Sequence, residues 1–251
     1  MTSHRINFLE AFAKSTPALN LIFLNHSGAP SKLLNDITSI DLLADKKATS
    51  DFVAFCETHP LVIEIHIHPM FGKTEVVVEL VDRSEIKFHL IRSMVRKALY
   101  CLPVSSIRKD AFVNEFHMLV ASHAHHFEYL FLNCQFAGMP LPDRYKNYYS
   151  GFDFASRTSI FRYIQPRYDL VINNLDDLYQ PKAGIVLSIM VALRKEKENS
   201  LFKMMLRTLE YGFFNLFGFI TKKVSHLHPS KSGSTEISGQ RNNRTAGQVV
   251  L

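Results

Sequence analysis

Three runs within the first hundred residues constrain the fold most. LVIEIHIHP (61–69), TEVVVELV (74–81) and SEIKFHLI (84–91) are strand-length, rich in β-branched residues and separated by short turns. In the first run Ile63, Ile65 and Ile67 alternate with Glu64, His66 and His68. In the third, Ile86, Phe88 and Leu90 alternate with Glu85, Lys87 and His89. Strand side chains point to opposite faces in turn, so each of these two runs has an apolar and a polar face. The turns are Phe71-Gly72-Lys73 and Asp82-Arg83. Such a chain builds a small mixed or antiparallel sheet with helices on it.

The flanking segments supply the helices. Ser3 caps a short helix striped by Ile6, Leu9, Phe12 and Ala13. After Pro17, LNLIFLN reads as a buried strand, NHSGAP as a turn and TSIDLLA as a second strand. Ser50 caps a helix with Phe52, Phe55 and Cys56 inward, ended by Pro60. From about residue 104 the pattern turns helical. Ser122 caps HAHHFEYLFLNCQFA, which Gly138 and Pro140 stop. Further helices are expected near 155–164, 167–178, 183–196 and 199–222. The expected class is α+β: a sheet domain over 1–120, a helical region over 121–224, and a disordered tail over 225–251, rich in Ser, Gly and Asn.

Composition narrows the function classes. The 251 residues are 47% hydrophobic, with a mean hydropathy near zero, as in a globular chain. Cys56, Cys101 and Cys134 are odd in number, far apart and without a C-x-x-C, so neither a disulfide framework nor a thiolate zinc site is expected. That usage, with no signal-like start and no run long enough to span a bilayer, points to the cytoplasm. The net charge is +6, but Lys222, Lys223, Lys231, Arg241 and Arg244 face only Glu236 beyond residue 220. The rest is nearly neutral, so a nucleic-acid partner is not expected.

Several clusters carry chemistry. Asp36, Asp41 and Asp45 sit in or beside LLNDITSIDLLAD, but no two are separated by one residue, so a D-x-D metal clamp is absent. The face of Glu85, Lys87 and His89 reads either as solvated or as the wall of a site. His66 and His68 share a face and suit a divalent metal if His89 or Glu64 adds a ligand, but H-x-H alone is a weak signal, and polar alternation on an exposed face or a His anchored to a backbone carbonyl also explains the pair. His123, His125 and His126 straddle a helix start and receive no role. In LPDRYK, Arg144 and Lys146 suit a phosphate, or are a surface basic pair. Residues 201–223, including YGFFNLFGFITKK, read as a core or partner-packing helix; bulky apolars over two lysines also suit peripheral membrane contact.

The order of the pieces resembles a nucleotidyltransferase-like domain of the polymerase-beta type. It is nearest the bacterial kind found beside or fused to thymidylate-kinase-like and surface-polysaccharide proteins. The resemblance covers roughly residues 18–165 and is spread over LIFLNHSG, SIDLLAD, IEIHIHPMFGKTEVVVEL, SEIKFHLI, ALYCLPVSSIRKDAF, FHMLVASHAHHFEYLFLNCQFAG and PLPDRYKNYYSGFD. It implies two carboxylates on one strand and a third on a neighbour, holding Mg²⁺ or Mn²⁺ on a triphosphate. It implies a glycine-serine turn cradling the phosphates, here Ser27-Gly28 in reversed order. The paired acids map to Ser39 and Asp41, or to Asp36 and Thr38, and the third maps to His89. In the better register one carboxylate of three survives.

Three function readings follow. The first is a protein with a broken triad that binds a nucleotide or phosphorylated sugar, or a partner chain, with little or no catalysis. The resemblance places it in surface-polysaccharide synthesis beside a kinase-like protein. Its candidate residues are Asp41 and His89, with Ser27, Gly28, Ser39, Lys87, Arg144 and Lys146 on the ligand. The second is an active metal-dependent nucleotidyltransferase with Asp41 as principal ligand, helped by Asp36 or Glu64. The third is a zinc- or manganese-dependent hydrolase using His66, His68 and His89.

Overall fold

A computed structural model describes residues 3–25, 28–29 and 39–213. A seven-stranded mixed sheet runs through the middle, in the order β3-β4-β5-β2-β1-β9-β8. Its strands are β1 (Ile22–Phe23), β2 (Ile40–Leu43), β3 (Val62–Met70), β4 (Lys73–Leu80), β5 (Glu85–Ile91), β8 (Phe112–Val113) and β9 (Leu119–Val120). β6 (Val95–Arg96) and β7 (Leu99–Tyr100) form a separate hairpin. β2 pairs parallel to β5 and β1 parallel to β9; every other pairing is antiparallel.

The expected turns are where the sheet folds back. Gly72 has φ +74°, and a Cβ there would lie 2.7 Å from Ser93 O, so only glycine fits. Its carbonyl also accepts from Arg92 N and Ser93 N, fastening the β3–β4 tip to the end of β5. Arg83, at φ 64°, turns β4 into β5.

Alternation along the central strands feeds two cores. On one face Ile40, Leu42, Phe88 and Leu90 pack beneath α1 (Ser3–Leu19) and α2 (Lys46–Thr58). Phe88 sits at its centre, ringed by Phe8, Phe12 and Phe52 at 4.9–6.3 Å between centroids. Removing such a ring typically costs about 3–5 kcal/mol. On the other face Leu43 and Ile91 join a helical layer. That layer is α4 (His123–Ala137), α5 (Asp143–Ser150), α6 (Phe154–Arg167) and α7 (Ala183–Lys195); α3 (Val104–Asp110) adds the buried Ile107. A last helix, α8, occupies residues 201–213. All of this belongs to one unit, Met1–Phe214. The expected tail lies outside the described residues.

Several expectations shift. The first helix is not short: it runs through Pro17 to Leu19. Pro17 cannot donate to the Ala13 carbonyl, and the Thr16 hydroxyl does so instead at 2.8 Å. Asp45, not Ser50, caps α2, its carboxylate accepting from Ala48 N at 2.8 Å. Strands β8 and β9 interrupt the helical half; two-residue strands carry no periodicity to read. The helix expected over 167–178 is absent. After Pro166, Asp169 takes φ 51°, and only a 3-10 turn, Leu175–Leu178, follows. β3 alternates as expected yet buries neither face fully: Ile63 and Ile67 are each 45% exposed. It is the sheet's edge.

Candidate functional site

The helical layer covers β1, β2 and the end of β5, then stops short of β3 and β4. Strand register puts a polar row at that margin. Asp41 on β2 lies beside His89 on β5, His89 beside Glu75 on β4, and Glu75 beside His68 on β3. Directly paired residues share a face, so one imidazole lies between two carboxylates.

The side chains use that placement. His89 Nδ1 is 2.8 Å from Asp41 Oδ1, and His89 Nε2 is 3.1 Å from Glu75 Oε2. A carboxylate only accepts, so both contacts are hydrogen bonds together only when the ring is the imidazolium. Asp41 Oδ2 accepts from the Tyr129 hydroxyl at 2.9 Å. Burial, and then Asp41 itself, push the Tyr129 phenol well above its ordinary value, so it stays a donor. Burial works against the charge of Glu75. His89, Lys87 and Lys73 outweigh it and hold that carboxyl below the usual range. The Asp41 backbone N–H donates to Asn25 Oδ1 at 3.1 Å, and Asn25 Nδ2 donates to Ser39 O at 3.0 Å. The Asn25 amide thus stands in for backbone pairing where β1 ends. Tyr145, on α5, donates to Asn25 O at 3.0 Å and ties the helical layer to the same point.

Apart from Glu75 and Lys87, these groups line a cleft of about 510 Å³. Asp41, His89, Asn25, Ser39 and Tyr129 form its polar wall; Phe71, Ile91, Met94, Leu130 and Met139 are apolar. Lys73, Arg96 and Arg144 also line it. Arg96 donates to Asn133 Oδ1 at 3.0 Å, and the Arg144 guanidinium stacks 4.6 Å from the Tyr145 ring centre. Among the described residues, none of these three cations forms an ion pair with a carboxylate. The cleft therefore joins one carboxylate, already engaged by His89 and Tyr129, to three cations with spare donors. Planar guanidinium groups so placed suit the oxygens of a phosphate.

Of the residues singled out in the sequence, Asp41, His89, Ser39 and Arg144 come together here. Lys87 stands behind His89, 3.7 Å from Glu75 Oε2. Lys146 is tied to Asp143 at 2.8 Å and does not line the cleft; nor does Gly28. Ser27 and Asp36 lie outside the described residues. His66 and His68 do not share a ligand set with His89. His66 lies 3.7 Å from Glu64, and the described residues able to converge on one metal ion are Glu64, His66 and Glu79. Glu79 is already bonded to Arg83 at 3.0 Å. His68, exposed on the edge strand, lies outside that group.

Glu75, Tyr129, Asn25, Lys73 and Arg96 were not anticipated. Glu75 was within reach: a turn centred on Asp82 sets residue 75 opposite 89. TEVVVELV hides it, because Val77 breaks the polar alternation between Glu75 and Glu79. Comparison with protein-family models, curated proteins and solved structures finds no match.

Proposed function

We propose that the cleft binds a phosphorylated small molecule, a nucleotide or a sugar phosphate, with little or no catalysis of its own. The observation that carries this reading is the set of three cations, Lys73, Arg96 and Arg144, lining a cleft whose one carboxylate is already engaged by protein. A metal-dependent transferase needs open carboxylate oxygens facing the phosphates. Here Asp41 Oδ1 faces His89 and Oδ2 faces the Tyr129 hydroxyl. The proposed frame is a degenerate nucleotidyltransferase-like domain. Its support is the order of the sequence pieces, with Asp41 and His89 on adjacent parallel strands where such a domain keeps acids. The pathway suggested by that resemblance, surface-polysaccharide synthesis beside a kinase-like chain, handles phosphorylated and nucleotide-linked sugars.

A thermal-shift screen with ATP, CTP, GTP, UTP and nucleotide sugars tests this, each in Mg²⁺, Mn²⁺, Zn²⁺ or EDTA. At a hundred times its dissociation constant a ligand stabilises the fold by about 2.7 kcal/mol. That is a rise of roughly 5–10 °C for a chain of this size. The expected result is a shift that persists in EDTA and disappears in Arg96→Ala/Arg144→Ala. A shift that requires metal and vanishes in Asp41→Ala would overturn the reading in favour of an active transferase. No shift with any of them, in protein that melts cooperatively, would remove the ligand altogether.

A further inference from the structure

Helix α8 is inside out. At 3.6 residues per turn, Met204, Arg207 and Tyr211 share one side. That side is fastened to the body: Met204 packs on the helical core, and Arg207 donates to Ala98 O at 3.2 Å and to Asn199 Oδ1 at 2.8 Å. Arg207 also stacks on Tyr100, and Tyr211 meets Phe71 edge-on at 5.5 Å. The opposite side carries Leu201, Phe202, Met205, Leu206, Leu209 and Phe213, over an arc of about 140°. Each of these six is 43–76% exposed. An ordinary surface helix turns its apolar stripe inward; this one turns it to solvent, and a strip of that kind marks an interaction surface.

What covers the strip is indicated by its neighbours. The β6–β7 hairpin, to which Arg207 is bonded, turns on Lys97 (φ 50°) and Ala98 (φ 63°). Two consecutive left-handed residues normally call for Asn or Gly; here the strain is borne with an exposed lysine at the tip. Between Glu85 and Asp110 the chain has six basic residues and no acidic one. Arg92, Arg96 and Lys97 among them are exposed around this hairpin. A cationic hairpin joined to the helix that carries an outward apolar strip suits an anionic lipid surface, which takes apolar side chains below the headgroups and basic ones among them. A second copy would instead bring the exposed cations of two hairpins together.

We propose that the protein docks on an anionic bilayer through α8 and the β6–β7 hairpin. No helix among the described residues is long and apolar enough to cross a membrane; the one-sided apolar strip of α8 suits a helix lying in the interface. Phe71, against which Tyr211 packs, and Arg96 of the hairpin also line the cleft. The proposal stands whether or not the cleft binds phosphate.

The test is co-sedimentation of the full chain with vesicles of phosphatidylcholine alone, or of phosphatidylcholine with phosphatidylserine. The protein is expected in the pellet with the anionic vesicles and in the supernatant with the neutral ones, and salt should release it. Phe202→Ser/Leu209→Ser should lower partitioning at least about tenfold, since two bulky side chains no longer enter the bilayer. Arg92→Glu/Lys97→Glu should lower it by roughly tenfold or more. All four positions are exposed, so both variants should melt with the parent. Protein left in the supernatant with both vesicle types would overturn the proposal, as would undiminished binding of Phe202→Ser/Leu209→Ser. A dimer by light scattering that this variant dissolves would assign the strip to a second copy instead.

Discussion

Among the described residues, His89 and His125 each lie within hydrogen-bond distance of two carboxylates, and the two clusters are put to opposite uses. At the cleft wall, His89 joins Asp41, which lines the cleft, to Glu75, which does not. In the helical layer, His125 joins Glu128 and Asp110, each at 3.2 Å. Glu128 is fully buried and accepts from Arg167 Nε at 2.6 Å and from the hydroxyls of Tyr163 and Tyr168 at 3.0 and 2.5 Å. Burial, with Glu128 next, lifts both phenols far above their ordinary value, so they remain donors. Every bond to Glu128 closes on the protein and ties α4 to α6, while Asp110 at the rim is half exposed. The cleft cluster has the same residue types, but neither of its carboxylates is fully buried as Glu128 is, and cations without a carboxylate partner stand beside it. Titratable residues alone do not mark a site; groups left with bonds to make do.

The largest effect that separates the two should be on stability. Glu128→Ala leaves Arg167 without its buried partner and should lower unfolding free energy by about 3–5 kcal/mol, read from urea denaturation. Asp41→Ala should cost only about 1–2 kcal/mol. Equal losses would break the comparison. Next come the ligand-facing cations. Arg96→Ala and Arg144→Ala should each weaken nucleotide or sugar-phosphate binding about tenfold, the worth of one charge-assisted bond, by titration calorimetry. Their melting temperatures should be unchanged. Tyr129→Phe removes one donor from Asp41 and should cost about 1 kcal/mol in urea. The smallest effect is in pH. Glu75 has a depressed folded-state value, so its contribution is complete above the ordinary 4.5 and drains away as the pH falls below it. Glu75→Gln should flatten that limb of a stability–pH curve; an unchanged limb would remove Glu75 from the account.

Much of the sheet was legible because its signals are local. Alternation and two turns define β3 to β5, and Ser122 and Gly138 bound α4 at the expected residues. The polar face of Glu85, Lys87 and His89 was also readable, since alternation alone assigns it. What could not be read depends on partners distant in sequence. Tyr129 sits in HAHHFEYLFLNCQFA, a run apolar enough to pass for core; nothing local says its hydroxyl meets Asp41, 88 residues away. The same holds for His125 and His126, which received no role and turn out buried, His126 against the Tyr149 hydroxyl. Arg96 is ordinary in sequence and lines the cleft only because a separate hairpin carries it there.

The Thr16 hydroxyl has a second bond with consequences for how the protein is made. Besides serving the carbonyl that Pro17 leaves open, it accepts from the Leu119 backbone N–H at 3.0 Å, 103 residues later. On a ribosome adding about 5–20 residues each second, roughly 5–20 seconds separate the emergence of the two. Phe8 and Phe12 can find Phe52 and Phe88 in that interval, so the body of α1 docks early. Its last turn must wait for β9. Nascent chains arrested at increasing lengths and treated with protease should stay cleavable after Leu19 until Leu119 has emerged. Protection at shorter lengths would mean that α1 closes without its distant partner.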